Sequence, residues 1–154
     1  MFMSVPVDFA VSSCKRLLEN DASLPSRTPF EVVDLCRLLD VCLRNTYFVF
    51  RKQHYKQLFG TAMGASISVV CANIVLECIE AEALGSFHPA PKLFLRYVDD
   101  CFCVIRRQDA SHFLEHLNSF QPTIQFTKEE QQNGAIPFLD VLVQRTSNGL
   151  ATSV

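Results

Sequence analysis

The stretch FLRYVDDCFCVI, Phe94 to Ile105, sets two adjacent carboxylates, Asp99 and Asp100, between runs of aromatic and aliphatic residues. Adjacent carboxylates repel, and each is costly to take out of water, so one buried strand running straight through this stretch is a poor reading. The alternation on either side fits a strand Leu93–Val98, a hairpin tip carrying the two acids, and a returning strand Cys101–Ile105. Carboxylates at such a tip can coordinate a hard divalent cation, Mg2+ or Mn2+, whose charge offsets their repulsion. Successive strand residues point to opposite faces, so a tight turn must reorient the second acid, which makes Asp99 the main ligand and Asp100 the helper. Taken alone, a pair of aspartates is more often an ordinary exposed turn.

Working outward, "HPAPK" precedes the hairpin, and before it the apolar region Ile67 to Leu84 belongs to a helix running from Ser66 to about Leu84. Asn73, Glu77, Glu80 and Glu82 interrupt that region and make it too polar to cross a bilayer. The loop "GTAMGASIS" opens directly into the helix, and its small residues would let a ligand or another backbone approach closely. Upstream, "TYFVF" and "RKQHYKQ" suggest a short hairpin beside a solvent-facing groove, with Arg51, Lys52, His54 and Lys56 as a basic patch interleaved with an aromatic, a weak nucleic-acid signal. Val7, Val11, Cys14 and Leu18 predict a first helix over Val7–Asn20. Thr28, Pro29 and Glu31 have the spacing of a capping box, which predicts a second helix with Thr28 as its N-cap and a stripe of Val32, Cys36, Leu39 and Leu43.

Downstream, "QDASHFLEHLNSF" reads as an amphipathic helix through Phe113, Leu117 and Phe120. Strands are expected over "TIQFTKE", "IPFLDVLVQRT" and "LATSV", with turns at Asn133-Gly134 and Asn148-Gly149. The expected fold class is therefore α+β: one antiparallel sheet backed by helices.

The 154 residues suit one domain or a piece of a larger one, and an apolar fraction of 49% supports a packed core. A net charge of −2 advertises neither nucleic acid nor an anionic membrane, so any such binding has to come from a local patch. The seven cysteines have no CxxC spacing and sit mostly among apolar neighbours, which reads as reduced, buried thiols of an intracellular protein, nuclear or cytoplasmic. No signal peptide is legible in "MFMSVPVDFAV".

Several blocks in order, "GTAMGASISVVCANIVLE", "RYVDD", "FLEHLN", "IQFTKE" and "IPFLDVLVQR", resemble the reverse transcriptases of Penelope-like retroelements over essentially the whole chain. The resemblance implies a partial reverse transcriptase domain over 1–154, a polymerase palm-type sheet backed by helices that lacks most of the fingers and the thumb. It makes Asp99 and Asp100 catalytic metal ligands, with Tyr97 shaping the site near the primer end. Met63 and Gly64 fall where the loop contacts the incoming nucleotide and template, and Phe2 is the aromatic that abuts the nucleotide sugar. "IPFLD", Ile136 to Asp140, matches the segment leading into the primer-gripping region. The implied partners are an RNA template, a DNA primer and a dNTP, and the implied cofactor is Mg2+ or Mn2+.

Two departures stand out. The family's first catalytic Asp would lie before Met1, because "MFMSVP" matches only the tail of its motif, and Asp8 after Pro6 is explained by the dipole of the helix it opens. The family's Ser-Pro after the Gly is replaced by Ala65-Ser66. Residues 1–154 alone are therefore expected to bind divalent metal weakly, to extend primers negligibly, and to expose apolar surface that favours aggregation. A domesticated nucleic-acid-binding remnant of the same domain is the alternative. An unrelated Mg2+-dependent phosphohydrolase leaves the "GTAMG" and "IPFLD" blocks unexplained.

Overall fold

A computed structural model describes residues 4–62 and 65–154. Helix α4, Ser66–Ser86, is mostly apolar apart from Asn73 and its glutamates, and one buried stripe from Ser68 to Ala83 carries the protein's interior along its length. On one face, Cys71, Ala72, Val75, Leu76 and Ile79 meet Ala10 and Cys14 of helix α1 (Val7–Glu19) and Leu43 of helix α3 (Val32–Arg44). Further along, Ala83 packs with Phe113 and Leu117 of helix α5, Ala110–Ser119. Phe120 and Phe126 touch both clusters and join them.

Among the described residues the strands form three small antiparallel sheets rather than the single sheet expected. Strands β1 (Tyr47–Phe50) and β2 (Gln53–Lys56) pair as one hairpin, and β3 (Leu93–Tyr97) and β4 (Asp100–Val104) as a second. Strands β5 (Ala135–Phe138), β6 (Val141–Thr146) and β7 (Gly149–Ser153) make a three-stranded meander in sequence order. The mixed α+β class is as expected, with short strands joined by tight turns accounting for the division. "IPFLDVLVQRT" is not one strand: Phe138 pairs with Val141 across a two-residue loop at Leu139-Asp140, where Leu139 has φ +52°. Pro137, which has no N–H to donate, sits on the edge strand β5, where its loss is tolerated.

Two local expectations fail for identifiable reasons. The capping box at Thr28 does not form: Thr28 ends a short helix α2, Leu24–Arg27, and α3 starts at Val32 with Glu31 as N-cap. The Thr28 hydroxyl instead accepts a hydrogen bond from the Phe30 N–H at 3.2 Å. "TIQFTKE" is not a strand either. The Asn118 side chain accepts from the Phe126 N–H (2.7 Å) and donates to the Phe126 carbonyl (3.0 Å), so that backbone is satisfied without a neighbouring strand.

Among the described residues no helix is long and apolar enough to cross a membrane. All seven cysteines are free; Cys14, Cys36 and Cys71 are buried, whereas Cys42 is exposed and the remaining three are half-buried.

Candidate active site

Alternation along β3 decides what the Asp-Asp turn rests on. Phe94 and Arg96 face the helices, while Leu95 and Tyr97 point to the other side and are 52% and 61% exposed. Phe94 packs edge-on to Phe113, with ring centroids 6.0 Å apart, and its cross-strand partner Cys103 joins the same cluster. On the opposite face Phe102, paired with Leu95, reaches Phe138 of β5 at a centroid distance of 5.4 Å.

Tyr97 pairs with Asp100, so the hairpin turns through only Val98 and Asp99. Val98 has φ +58° and Asp99 is not in the left-handed region, the combination expected at a type II′ turn. A β-branched residue is a poor occupant of that position, which favours glycine. Asp99 and Asp100 are both exposed, and among the described residues neither has an ion-pair partner. The repulsion between adjacent carboxylates is thus met by water rather than by a buried countercharge. The tip lies one residue earlier than expected: Val98 leaves the strand for the turn, only Asp99 of the two acids is in it, and Asp100 opens β4 opposite Tyr97, so Tyr97, Asp99 and Asp100 are neighbours but the two acids do not share the tip.

What holds the turn is a residue that sequence reasoning missed. Arg96 lies inward on β3 with its side chain 9% exposed, and its Nε donates to Oε1 of Glu80 on α4. Its Nη1 donates to the Asn73 side-chain carbonyl at 2.8 Å and to the Val98 backbone carbonyl at 3.1 Å. Asn73 in turn donates to Glu77 at 2.6 Å. Burial pushes the Glu80 carboxyl up, and its hydrogen bond to Arg96 pulls it part of the way back. Burial likewise raises the Cys101 and Cys103 thiols to about 11, so both behave as neutral apolar groups behind the turn. The signal was available: an arginine at an inward register position needs a buried carboxylate, and the α4 glutamates offered one.

The basic patch lies elsewhere. Arg51 and Lys52 form the β1–β2 turn, with φ +50° and +65°, and β2 carries His54 and Lys56. Every residue of both strands is exposed. Phe48 stacks on Tyr55 at 5.5 Å, Phe50 lies beside the same ring at 6.4 Å, and the Arg51 guanidinium sits 5.2 Å above the Phe50 ring. Among the described residues the two hairpins share no extended contact. Phe2, Met63 and Gly64 lie outside the described residues. Asp8, in the first turn of α1, is engaged by Arg44 of α3.

As a donor set, two adjacent carboxylates in solvent supply hard oxygen ligands of the kind Mg2+ or Mn2+ takes. Among the described residues no group of three or more His, Cys, Asp or Glu is gathered closely enough to hold a metal ion. No protein-family model, no curated protein and no solved structure matches the chain.

Proposed function

We propose that the chain is the palm portion of an RNA-directed DNA polymerase of the Penelope-like type, acting inside the cell on an RNA template, a DNA primer and a dNTP. The observation that carries the reading is the placement of Tyr97-Val98-Asp99-Asp100 on a two-residue hairpin turn, with both carboxylates in water and the turn tied by Arg96 to the central helix. A turn with a fixed backbone and free carboxylates is prepared to offer ligands without first breaking ion pairs. Asp99 and Asp100 would hold Mg2+ or Mn2+, which when bound lowers the cost of negative charge as a primer 3′-hydroxyl attacks the α-phosphate of the dNTP and pyrophosphate leaves. Tyr97, exposed beside Asp100, would limit where the primer end can sit. Arg96 positions: it fixes the Val98 carbonyl and hence the direction in which the two acids leave the strands.

A second reading, a nucleic-acid-binding remnant of the same domain, is favoured by the β1–β2 hairpin, whose exposed Phe48, Phe50 and Tyr55 beside Arg51 and Lys56 are a stacking and phosphate-binding combination. One experiment separates the two. Titrating Mn2+ into the isotope-labelled chain should broaden the amide signals of Tyr97 to Cys101 selectively, and D99N/D100N should abolish that broadening while leaving the rest of the spectrum in place. Binding of an RNA–DNA primer–template without broadening at the turn would favour the remnant. Neither effect would sink both readings.

A further inference from the structure

The α1–α4 contact contains a feature that polymerase chemistry does not use. Cys14 and Cys71 are 5% and 2% exposed, and their sulfurs lie 3.8 Å apart although 57 positions separate them in sequence. Small neighbours bring the helices together here: Ala10 and Ser13 on α1, Ser68 and Ala72 on α4, all buried. Both thiols also line an apolar groove of about 360 Å3, walled by residues such as Leu17, Leu38 and Val70, each about half exposed, so the groove opens to solvent.

We infer that Cys14 and Cys71 form a redox-active dithiol that a peroxide, reaching it through this groove, converts to a disulfide stapling α1 to α4. The geometry already supplies most of the approach, since a disulfide needs the two sulfurs to close to about 2.05 Å between two helices that are already in contact. The roles of the two sulfurs differ. The Cys14 thiol donates to the Cys71 sulfur, which favours ionisation of Cys71 and, together with burial, opposes that of Cys14.

Cys71 is therefore the attacking sulfur. Its thiolate takes one peroxide oxygen, the O–O bond breaks, and the departing hydroxide combines with the proton Cys71 released to give water. The Cys14 sulfur then attacks the resulting sulfenic acid, the S–O bond breaks, and the Cys14 proton leaves with the hydroxide as a second water. Two thiols are oxidised by two electrons, and the peroxide is reduced to two waters. Cys36 is also buried, and burial pushes its thiol up, but among the described residues it shares no hydrogen bond with either sulfur, and Cys42 is exposed with no thiol hydrogen bond.

The test treats the reduced chain with hydrogen peroxide under native conditions, alkylates the remaining thiols after denaturation, and maps the peptides by mass. The expected product is a Cys14–Cys71 cross-linked peptide, with both thiols lost roughly ten-fold faster than that of Cys36. The melting temperature should rise by roughly 5–15 °C through closure of the long loop and fall back on reduction with dithiothreitol. C42S should behave as the parent chain does. L38W, which narrows the groove from its exposed rim, should slow cross-linking several-fold. A map in which Cys42 is oxidised while Cys14 and Cys71 remain alkylated, a Cys14–Cys36 cross-link in their place, or an L38W rate equal to the parent's would overturn the proposal.

Discussion

The two hairpins of this protein have the same plan and opposite fates. Each joins two short antiparallel strands through a two-residue loop, and each puts side chains that favour negative φ into the left-handed region: Arg51 and Lys52 in one, Val98 in the other. β3–β4 lays Phe94 and Cys103 on the Phe113 cluster and ties its turn to α4 through Arg96. β1–β2 has all eight of its strand residues in solvent, and beyond its own ladder it reaches back through a 3.4 Å Lys56–Asn45 contact. Two strands by themselves are marginal in water, so rigidity comes from the layer behind a hairpin rather than from its pairing. The carboxylates of the candidate site stand on the supported hairpin.

The largest effect should come from removing that support. Arg96→Ala leaves the Glu80 carboxyl without its partner in a largely buried place, and should lower stability by about 3–5 kcal/mol in urea unfolding at neutral pH. R96M/E80L, which removes both charges, should recover most of that loss, because replacing a buried pair with apolar groups is often near neutral. It should not recover Mn2+-induced broadening at the turn, since the Val98 carbonyl still lacks its donor. Recovery of both would reduce Arg96 to a core residue. The pair also carries a pH signature. Glu80 is raised above its ordinary 4.5, so the folded state holds its proton more tightly than the unfolded chain does. Its contribution is full below 4.5 and is lost as pH rises through that value toward the folded one; E80Q should flatten that part of the stability curve.

That support was the part of the site least legible in the sequence. The hairpin around the two acids, the central helix and the first helix could be read because each is a local pattern, alternation broken by two acids and apolar residues at helical spacing, although the tip itself falls at Val98-Asp99, one residue before the pair. Arg96, Glu80 and Asn73 are far apart in the chain, and their meaning appears only when β3 is laid on α4. The split of "IPFLDVLVQRT" at Leu139 was hidden for a different reason: a leucine at positive φ carries no turn signal. The coil at Phe126 was hidden because one asparagine, eight residues away, satisfies its backbone. At Thr28 local capping logic was overridden by a short helix ending on the same residue.

A smaller effect should follow from relieving the supported turn. Val98→Gly removes a left-handed cost of about 1–3 kcal/mol and adds flexibility to the unfolded chain worth about 0.5–1, for a net gain of about 1 kcal/mol. Because this hairpin is packed on the core, the gain should register in global unfolding. A gain confined to exchange of the Tyr97 to Asp100 amides would mean that β3–β4 opens independently of the helices and would erase the distinction between the two hairpins.

The smallest global effect, and the sharpest contrast, belongs to the other turn. Arg51→Asn with Lys52→Gly installs the pair that a two-residue loop with positive φ at both positions prefers. The local gain should be about 1 kcal/mol, visible as slower hydrogen exchange at the Val49–His54 and Phe48–Tyr55 pairs. Global unfolding should move by no more than a few tenths of a kcal/mol, because a hairpin with every residue in solvent opens without disturbing the core. The same change removes two cations beside the exposed rings, so any binding of a single-stranded oligonucleotide by this hairpin should weaken and depend less steeply on salt. Equal shifts in local exchange and global unfolding would mean that β1–β2 is coupled to the core after all, and the two hairpins would then differ in exposure but not in mechanical role.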